Sequence, residues 1–260
     1  MTSTITGALQ HGKYSKGIGA PMKLRKRMMR RALGSLFWAI LLMALLVYPA
    51  SRFGVFQWPR EYDPFAAPDM RAKPNFLTQW KMKLMDAEPK RCAAAFTIVG
   101  SPITLKPTQG AGSSCEVSGA ITLSKLSTAR LDPEDTRCAI AARLYMWEHH
   151  LLQPAAQRIL GEPIAEIMHF GSFSCRTMRQ RSSMSEHATA NAFDISGFRT
   201  ASGKIITVKN DWRKATKEGK FLHVARDGLC DWFNLTLSPD YNADHADHFH
   251  VDMGWWRSCR

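Results

Sequence analysis

Two common zinc-binding patterns are missing from this 260-residue sequence. No two of its cysteines have the C-x-x-C spacing, which argues against a zinc-finger framework. Glu148 precedes two adjacent histidines, but the H-E-x-x-H spacing of helical metalloproteases is absent, so we interpret His149 and His150 as helix-surface residues. The sequence also lacks internal repeats, basic repeats and RNA-binding signatures, and we therefore expect no nucleic-acid partner.

Acidic residues are absent from positions 1–31, which carry eight lysines and arginines. The remaining chain has 27 basic and 22 acidic residues, so the formal net charge of +13 comes mostly from the N-terminal end. Charge of either sign is then absent from residues 32–50. As a helix, these nineteen residues would span roughly 28 Å, close to the hydrocarbon thickness of a bilayer.

A basic segment directly before an apolar one predicts a membrane anchor of fixed orientation. By the positive-inside rule, residues 1–31 form a cytoplasmic tail, residues 32–50 cross the membrane once as a transmembrane helix, and the rest of the chain lies on the far side. A cleaved signal peptide is the alternative. However, Tyr48-Pro49-Ala50 is a poor small-x-small cleavage site and the apolar run is long for a signal peptide, so we favour the uncleaved anchor.

All six cysteines follow the apolar run, which agrees with an oxidising compartment for the folded part of the chain. Their even number predicts three disulfides. Six cysteines allow fifteen connectivities, and spacing alone does not choose among them. We assume that neighbours in the sequence pair, which predicts the bonds Cys92–Cys115, Cys138–Cys175 and Cys230–Cys259.

The part after the anchor divides into a tether and a folded domain. Residues 51–89 contain five prolines, a density that opposes regular structure, although their scattered aromatic residues favour some packing against the domain. Within residues 90–260 we predict helices near 136–160 and 211–234, and strands near 120–123, 164–170, 191–198, 204–208 and 248–253. This order indicates an α+β fold with a small antiparallel sheet and flanking helices.

Histidine is scarce, with nine residues, yet two of them occupy alternate positions in Asp-His-Phe-His-Val-Asp at 247–252. In a strand, residues i and i+2 point to the same face, so His248 and His250 would face the same way. Earlier in the chain, a turn between His187 and Asp194 would bring these two residues together. His187, Asp194 and one of the two later histidines would form a two-histidine, one-carboxylate set, which suits zinc with an open fourth position.

Several spaced motifs carry a resemblance to known families. The segment SEHATANAFD at 185–194, with DHFHVD at 247–252, resembles the SxHxxGxAxD and HxH patterns of the LAS zinc peptidases, which include D-Ala-D-Ala carboxypeptidases and murein endopeptidases. Over residues 92–260 the chain is similar to the bacterial extensin-like C-terminal domain family, through GSFSCR (171–176), SEHATANAFDISGF (185–198), FLHVARDGLCDWF (221–233) and DYNADHADHFHVDMG (240–254). Ala190 stands where the LAS pattern has glycine, so if that glycine needs a positive φ, the loop keeps the LAS backbone only when alanine adopts the same conformation.

The resemblance implies which residues of this chain would bind a metal ion. Zinc would be held by His187, Asp194 and His250, with His248 beside the metal. Asp252 shares the strand face of the two later histidines and is a candidate for orienting a ligand ring.

The resemblance also implies a group that accepts a proton and a group that holds the substrate. Relatives use an acid three residues before the last ligand, or a histidine further upstream, to accept the proton. The candidates here are Asp247, His245 and His248, in that order, although an ideal strand would point Asp247 away from His250. Arg176 matches an upstream arginine that would hold a peptide carboxylate or stabilise an oxyanion.

The predicted compartment narrows the substrate. We expect the protein to be anchored in the bacterial inner membrane through residues 32–50, with its C-terminal domain in the periplasm, where LAS relatives cut the D-amino-acid stem peptides of peptidoglycan. The predicted function is a zinc-dependent peptidoglycan amidohydrolase, either an endopeptidase or a carboxypeptidase. The alternative is a non-catalytic binding or scaffold domain of the cell envelope that keeps a zinc site.

Overall fold

The computed structural model describes residues 22–54, 58–179 and 181–260. Two compact units divide the chain, and the second begins at Pro59. Residues 1–21 of the predicted cytoplasmic tail and residues 55–57 of the predicted tether lie outside the described residues.

The first unit contains one long helix, α1 (Met22–Arg52). Its stretch Met28–Val47 is long and apolar enough to cross a membrane, and none of this stretch is buried within the protein. Large apolar side chains such as those of Phe37 and Trp38 are each 61% exposed. By length and composition, this helix is therefore a candidate for the predicted membrane span.

One mixed, mostly antiparallel sheet of eight strands organises the described residues of the second unit. The strands are β1 (Ala120–Lys125), β2 (Arg130–Arg137), β3 (Ile164–Gly171), β4 (Ala192–Thr200), β5 (Ile205–Thr207), β6 (Leu235–Leu237), β7 (Phe249–Asp252) and β8 (Ser258–Cys259). Their spatial order is β1-β2-β3-β4-β7-β6-β8, and β5 pairs with β4 beyond the end of β7. The predicted α+β class with an antiparallel sheet is confirmed; parallel pairing is limited to β2 with β3 and β6 with β8.

Strand β2 lies outside the predicted strands because Pro133 stands in its middle. Proline has no N–H and cannot donate to a strand ladder. The sheet accommodates it because β2 pairs along its length with β1, whereas its pairing with β3 is limited to Arg130 opposite Glu166. A strand that is poorly paired on one side tolerates proline.

The helices of the second unit are α2 (Thr78–Ala87), α3 (Pro89–Ile98), α4 (Cys138–Trp147), α5 (Gln153–Ile159), α6 (Val208–Asp211) and α7 (Lys217–Leu229). The predicted helix at 136–160 appears as α4 and α5, joined by a π-helical turn at Glu148–Leu152. Pro154 explains the wider turn, because it has no N–H for the carbonyl four residues earlier. The predicted helix at 211–234 is shorter in the structure, since the Thr216 hydroxyl caps the start of α7 by accepting from the Gly219 N–H at 3.3 Å.

The stretch predicted as a tether carries more order than its prolines indicate. Helix α2 lies within this stretch. Three methionines of residues 51–89 are buried in the main core: Met70, Met82 and Met85. The Arg143 guanidinium forms a two-pronged ion pair with Asp86, with both contacts at 2.6 Å, and ties α2 to α4. The compact unit that holds residues 90–260 therefore also includes the chain from Pro59 onward.

The disulfides confirm one predicted bond and correct two. Cys230 is bonded to Cys259, as predicted. The predicted pairs Cys92–Cys115 and Cys138–Cys175 are wrong, because Cys92 is bonded to Cys138 and Cys115 to Cys175. The physical reason is packing: α3 and α4 are in contact, which brings the Cα atoms of Cys92 and Cys138 to 6.0 Å.

Candidate metal centre

The pairing of β4 with β7 brings two halves of the site together. Asp194 and His250 lie directly opposite each other in this antiparallel pair, although 56 residues separate them in sequence. Asp194 Oδ1 and His250 Nδ1 are 2.9 Å apart. Both residues are 9% exposed, so the contact is shielded from solvent.

His187 lies on a 3-10 turn, Glu186–Thr189, that leads into β4. The Ser185 hydroxyl caps this turn by accepting from the His187 N–H at 3.3 Å. The turn ends at Ala190, whose φ of 51° is a left-handed conformation that glycine adopts most easily. Ala190 is the one non-glycine residue with a positive φ in the part of the chain that the structure describes. Alanine at position 190 therefore adopts a backbone conformation that glycine would adopt with less strain.

A backbone carbonyl sets the orientation of the His187 ring. His187 Nδ1 lies 2.9 Å from the carbonyl oxygen of Ser172, which can only accept, so Nδ1 carries the proton. The other ring nitrogen, Nε2, faces Asp194 Oδ2 and His250 Nδ1, each at 3.2 Å. Ser172 is itself fixed by Glu134, whose carboxylate accepts from the Ser172 N–H at 2.7 Å. An outer partner that orients the ring in this way is typical of metal-binding histidines.

Asp252 orients the His250 ring in the same manner. Its Oδ2 lies 2.9 Å from His250 Nε2, and its Oδ1 accepts from the Gly254 N–H at 2.8 Å. The contact matches the expectation that Asp252 shares a strand face with the two histidines. As a result, His250 Nδ1 is the nitrogen that points at Asp194.

Three ligand atoms converge in this arrangement, one each from His187, Asp194 and His250, and all lie within 4.8 Å of one another. Two imidazoles and a carboxylate form a donor set that suits divalent transition metals. The residues fit a metal ion because both rings are already oriented by groups outside the cluster. They could hold a metal ion, and they are the three residues that the sequence resemblance implies as ligands.

Charges within the cluster balance one another in the metal-free protein. Burial by itself would raise the pKa of Asp194, but its contacts with the rings of His187 and His250 outweigh burial and hold this pKa well below its usual range. Burial would also lower the pKa of His250, yet hydrogen bonds to Asp194 and Asp252 raise this pKa to about 9. His250 is therefore a cation between two carboxylates at neutral pH.

His248 lies at the edge of the cluster and Asp247 lies behind it. His248 Nε2 is 3.6 Å from Asp194 Oδ1, and its Nδ1 is 2.9 Å from Asp247 Oδ1. Asp247 precedes the start of β7, so it does not follow the alternation of a strand. Its carboxylate contacts the ring of His248, and His248 is the residue of this pair that faces the ligand atoms.

His245 is the third histidine at the edge of the cluster. It ends a 3-10 turn, Ala243–His245, and its ring centroid is 5.3 Å from that of His248 and 5.8 Å from that of His250. Burial, followed by the charges of His250 and His248, lowers the pKa of His245 to about 4. His245 is therefore neutral at physiological pH and a weak base.

Arg176 is exposed in the loop between β3 and the 3-10 turn. The neighbouring disulfide between Cys175 and Cys115 holds this loop, and the Arg176 carbonyl accepts from the Ser185 N–H at 3.1 Å. Within the described chain, the Arg176 guanidinium forms no hydrogen bond or ion pair, so the structure does not join it to the cluster.

Two exposed aromatic residues flank the histidines, and no sequence pattern singles them out. Phe170 is 61% exposed, and its ring centroid lies 5.7 Å from that of His248. Tyr241 is 45% exposed, and its ring centroid lies 5.6 Å from that of His245. Together with the contact between the two histidines, these contacts place four rings in succession beside the ligand atoms. Exposed aromatic residues beside a few converging polar groups are typical of binding clefts.

Comparisons with known proteins identify a sequence family. A family model described as Extensin-like protein C-terminus matches residues 90–260. The matched part contains the three candidate ligands and all three disulfides. Neither the curated proteins nor the solved structures contain a match to the chain.

Proposed function

The chain belongs to the extensin-like C-terminal family through residues 90–260, and from this premise we propose that it is a zinc-dependent peptidoglycan amidohydrolase. Its substrates would be the D-amino-acid stem peptides, cut by endopeptidase or carboxypeptidase action. The observation that carries the proposal is the cluster of His187, Asp194 and His250, in which both rings are oriented from outside. The resemblance of the segments around these ligands to LAS peptidases supports the reaction class.

The ligand set accounts for the metal chemistry that the reaction needs. A bound zinc ion would polarise the scissile carbonyl and lower the pKa of a coordinated water toward ~7. His187 would present Nε2 and His250 would present Nδ1, because the opposite nitrogen of each ring is held by Ser172 or Asp252. Asp194 would add the negative charge that offsets part of the charge of the ion.

We assign proton transfer to His248. Its Nε2 is directed at the ligand group, and Asp247 holds its Nδ1, which fixes the tautomer whose Nε2 can accept a proton. In this arrangement Asp247 acts through His248 and does not touch the substrate. The assignment reverses the order predicted from the sequence, in which Asp247 came first, and it leaves His245 as a neighbour of His248.

Substrate binding is assigned to groups around the ligand cluster. Arg176 is exposed and its guanidinium has no partner among the described residues, so it is available to bind a peptide carboxylate or amide. Phe170 and Tyr241 would contact the substrate on either side of His248 and His245.

A location in the bacterial inner membrane, with the second unit in the periplasm, completes the proposal. The candidate span at Met28–Val47 supports the anchor, and the basic residues before it support a cytoplasmic N-terminus. Three disulfides support an oxidising compartment for the second unit.

Digestion of purified muropeptides by the zinc-loaded, full-length chain in mild detergent tests the proposal. We expect His250→Ala to lose both zinc and activity. Asp247→Ala should keep its zinc and lose about 10- to 100-fold in turnover, because the His248 ring is no longer held. The control Asp231→Ala changes an exposed acid outside the site and should match the wild type in zinc content and turnover. If the zinc-loaded wild type leaves every muropeptide unchanged, the amidohydrolase proposal is wrong.

One observation favours a second candidate function, a scaffold domain with a structural zinc site. His248 Nε2 is near enough to Asp194, at 3.6 Å, to become a fourth protein ligand. A site closed by four protein ligands is structural, whereas an open fourth position is catalytic. X-ray absorption spectroscopy of the zinc-loaded chain counts the histidine and water ligands. Three histidine ligands without water would favour the scaffold, and two histidines with water would favour the enzyme.

A further inference from the structure

A buried cation in the second unit has no role in the proposed reaction. Lys81 lies on α2 and is 3% exposed. Its ammonium donates to the carbonyl oxygens of Arg60 and Glu61, at 2.6 and 3.3 Å. In the described part of the chain, no carboxylate lies within ion-pair distance of this nitrogen, so two of its three N–H groups have carbonyl partners and its charge has no direct counter-charge. Burial of an unpaired charge is costly unless a counter-ion is supplied.

Lys81 lines a cavity of about 270 Å³ whose lining residues do not belong to the metal centre. The charged residues of the lining are Arg60, Glu61, Asp69, Lys73 and Lys81. Asp69 is already neutralised by Arg71, which contacts its two carboxylate oxygens at 3.0 and 2.9 Å. Three cations of the lining therefore remain against its one unpaired acid, Glu61. The charge of Asp63, which lies outside the lining, also acts on Lys81, so the net excess around the cavity is one positive charge.

The electrostatics of Lys81 agree with this count. Burial is the main reason that the pKa of Lys81 is lowered, and the charges of Asp63 and Glu61 offset only part of the effect. An anion in the cavity would stabilise the charged form of the lysine, which the protein alone does not fully stabilise.

We propose that this cavity binds a phosphate-type oxyanion through the remaining N–H of Lys81 and the side chains of Arg60 and Lys73. A tetrahedral anion has enough oxygens to meet three separate cations, whereas a carboxylate has two. The cavity is smaller than the ~300–1,000 Å³ of pockets for drug-sized ligands, which favours a compact group. Arg60 follows the last residue of α1, the proposed membrane anchor, by eight positions in sequence, so a phospholipid headgroup is one source of the anion to test. Free phosphate is the other source.

Titration calorimetry with inorganic phosphate tests the site. The full-length chain is held in an uncharged detergent, with EDTA present to keep the metal centre free of metal. We expect saturable binding to the wild type and at least a tenfold loss of affinity in Lys81→Gln. Lys83→Gln is the matched control, because Lys83 is exposed on the same helix and does not line the cavity. The double variant Arg60→Gln with Lys73→Gln changes only exposed residues and replaces Lys81→Gln in the test if that variant does not fold. Its affinity for phosphate should also fall at least tenfold.

A competition arm distinguishes the two sources of the anion. Short-chain phosphatidylglycerol is added to the micelles, and the affinities of Lys81→Gln and Lys83→Gln for this lipid are compared. The comparison cancels the attraction of anionic lipid by the basic N-terminal segment, which both variants share. Displacement of phosphate, or lipid binding that depends on Lys81, assigns the site to a headgroup. Phosphate binding that the lipid leaves unchanged assigns it to free phosphate. Absence of saturable binding of both probes to the wild type, or equal binding by the two lysine variants, overturns the proposal whatever the muropeptide assay shows.

Discussion

Acidification should weaken metal binding at the cluster of His187, Asp194 and His250 over a pH range that the structure specifies. In the metal-free protein, His250 donates from Nε2 to Asp252 and from Nδ1 to Asp194, and its pKa is raised to about 9. A metal ion binds Nδ1 only after this proton has left. Asp194, with its pKa far below the usual range, stays ionised and adds no pH dependence near neutrality.

The magnitude follows from the distance between the solution pH and the pKa of His250. At pH 7 the proton must leave a group that titrates about two pH units higher, which costs about 3 kcal/mol, or roughly 100-fold in affinity. The apparent dissociation constant of the metal should therefore fall about tenfold per pH unit from about pH 6.5 and level off near pH 9. About one proton should be released for each metal ion bound at pH 7.

Competition with a chelator of known pH dependence measures the dissociation constant, and calorimetry in buffers of different ionisation enthalpy counts the released protons. Asp252→Asn is the informative variant, because it removes one of the two carboxylates that raise the pKa of His250. The levelling-off should move to lower pH in this variant. A wild-type affinity that already levels off near pH ~6.5, as for an ordinary imidazole, would refute the reasoning.

Three further predictions concern the stability of the second unit. Ala190→Val should destabilise the protein by about 2–3 kcal/mol in urea denaturation and reduce its metal content, since a β-branched residue is strained at φ 51°. Ala190→Gly should retain the metal, and equal stability of the two variants would contradict the strain. Replacing Cys115 and Cys175 by serine opens a bond that spans 60 residues and should cost about 4 kcal/mol, and an unchanged melting temperature would count against this. Gly219→Ala would place a Cβ 2.0 Å from the Lys214 carbonyl oxygen and should lower the free energy of unfolding by about 1–3 kcal/mol in the same denaturation assay. The control Lys220→Ala, at an exposed position, should change it by less than about 0.5 kcal/mol.

Local patterns in the sequence were sufficient to locate most of the elements that carry the candidate ligands. Short runs rich in apolar residues predicted β3, β4, β5 and β7 near their observed positions, because such runs are a local property of the sequence. The two-residue side-chain period of a strand placed His248 and His250 on a common face. By contrast, Asp247 precedes the predicted strand at 248–253 and lies in a turn, so its contact with His248 did not follow from the pattern.

The errors of the sequence-based prediction share one physical cause. Proline density opposed structure in residues 51–89, yet burial of Met82 and Met85 stabilises α2 there, since tertiary packing outweighs weak local preferences. Disulfide pairing by sequence proximity failed at two bonds because the packing of α3 on α4 decides which sulfur atoms meet. The carbonyl of Ser172, which orients His187, has no signal in the sequence, because every residue has a carbonyl group.

The sequence by itself determined the α+β class, a candidate membrane span, the family and the chemical types of the three candidate ligands. The fold class and the span depend on composition and periodicity, and the family and the ligand types depend on the resemblance of short motifs; all of these are properties of short segments. Only the tertiary structure decided that Asp194 lies opposite His250, that Asp247 supports His248, that Ala190 adopts a positive φ, and that Lys81 is buried without a counter-charge. The reason is that each of these facts depends on strand register, turn geometry or packing between segments, and the free energy of those contacts is shared among residues far apart in the chain.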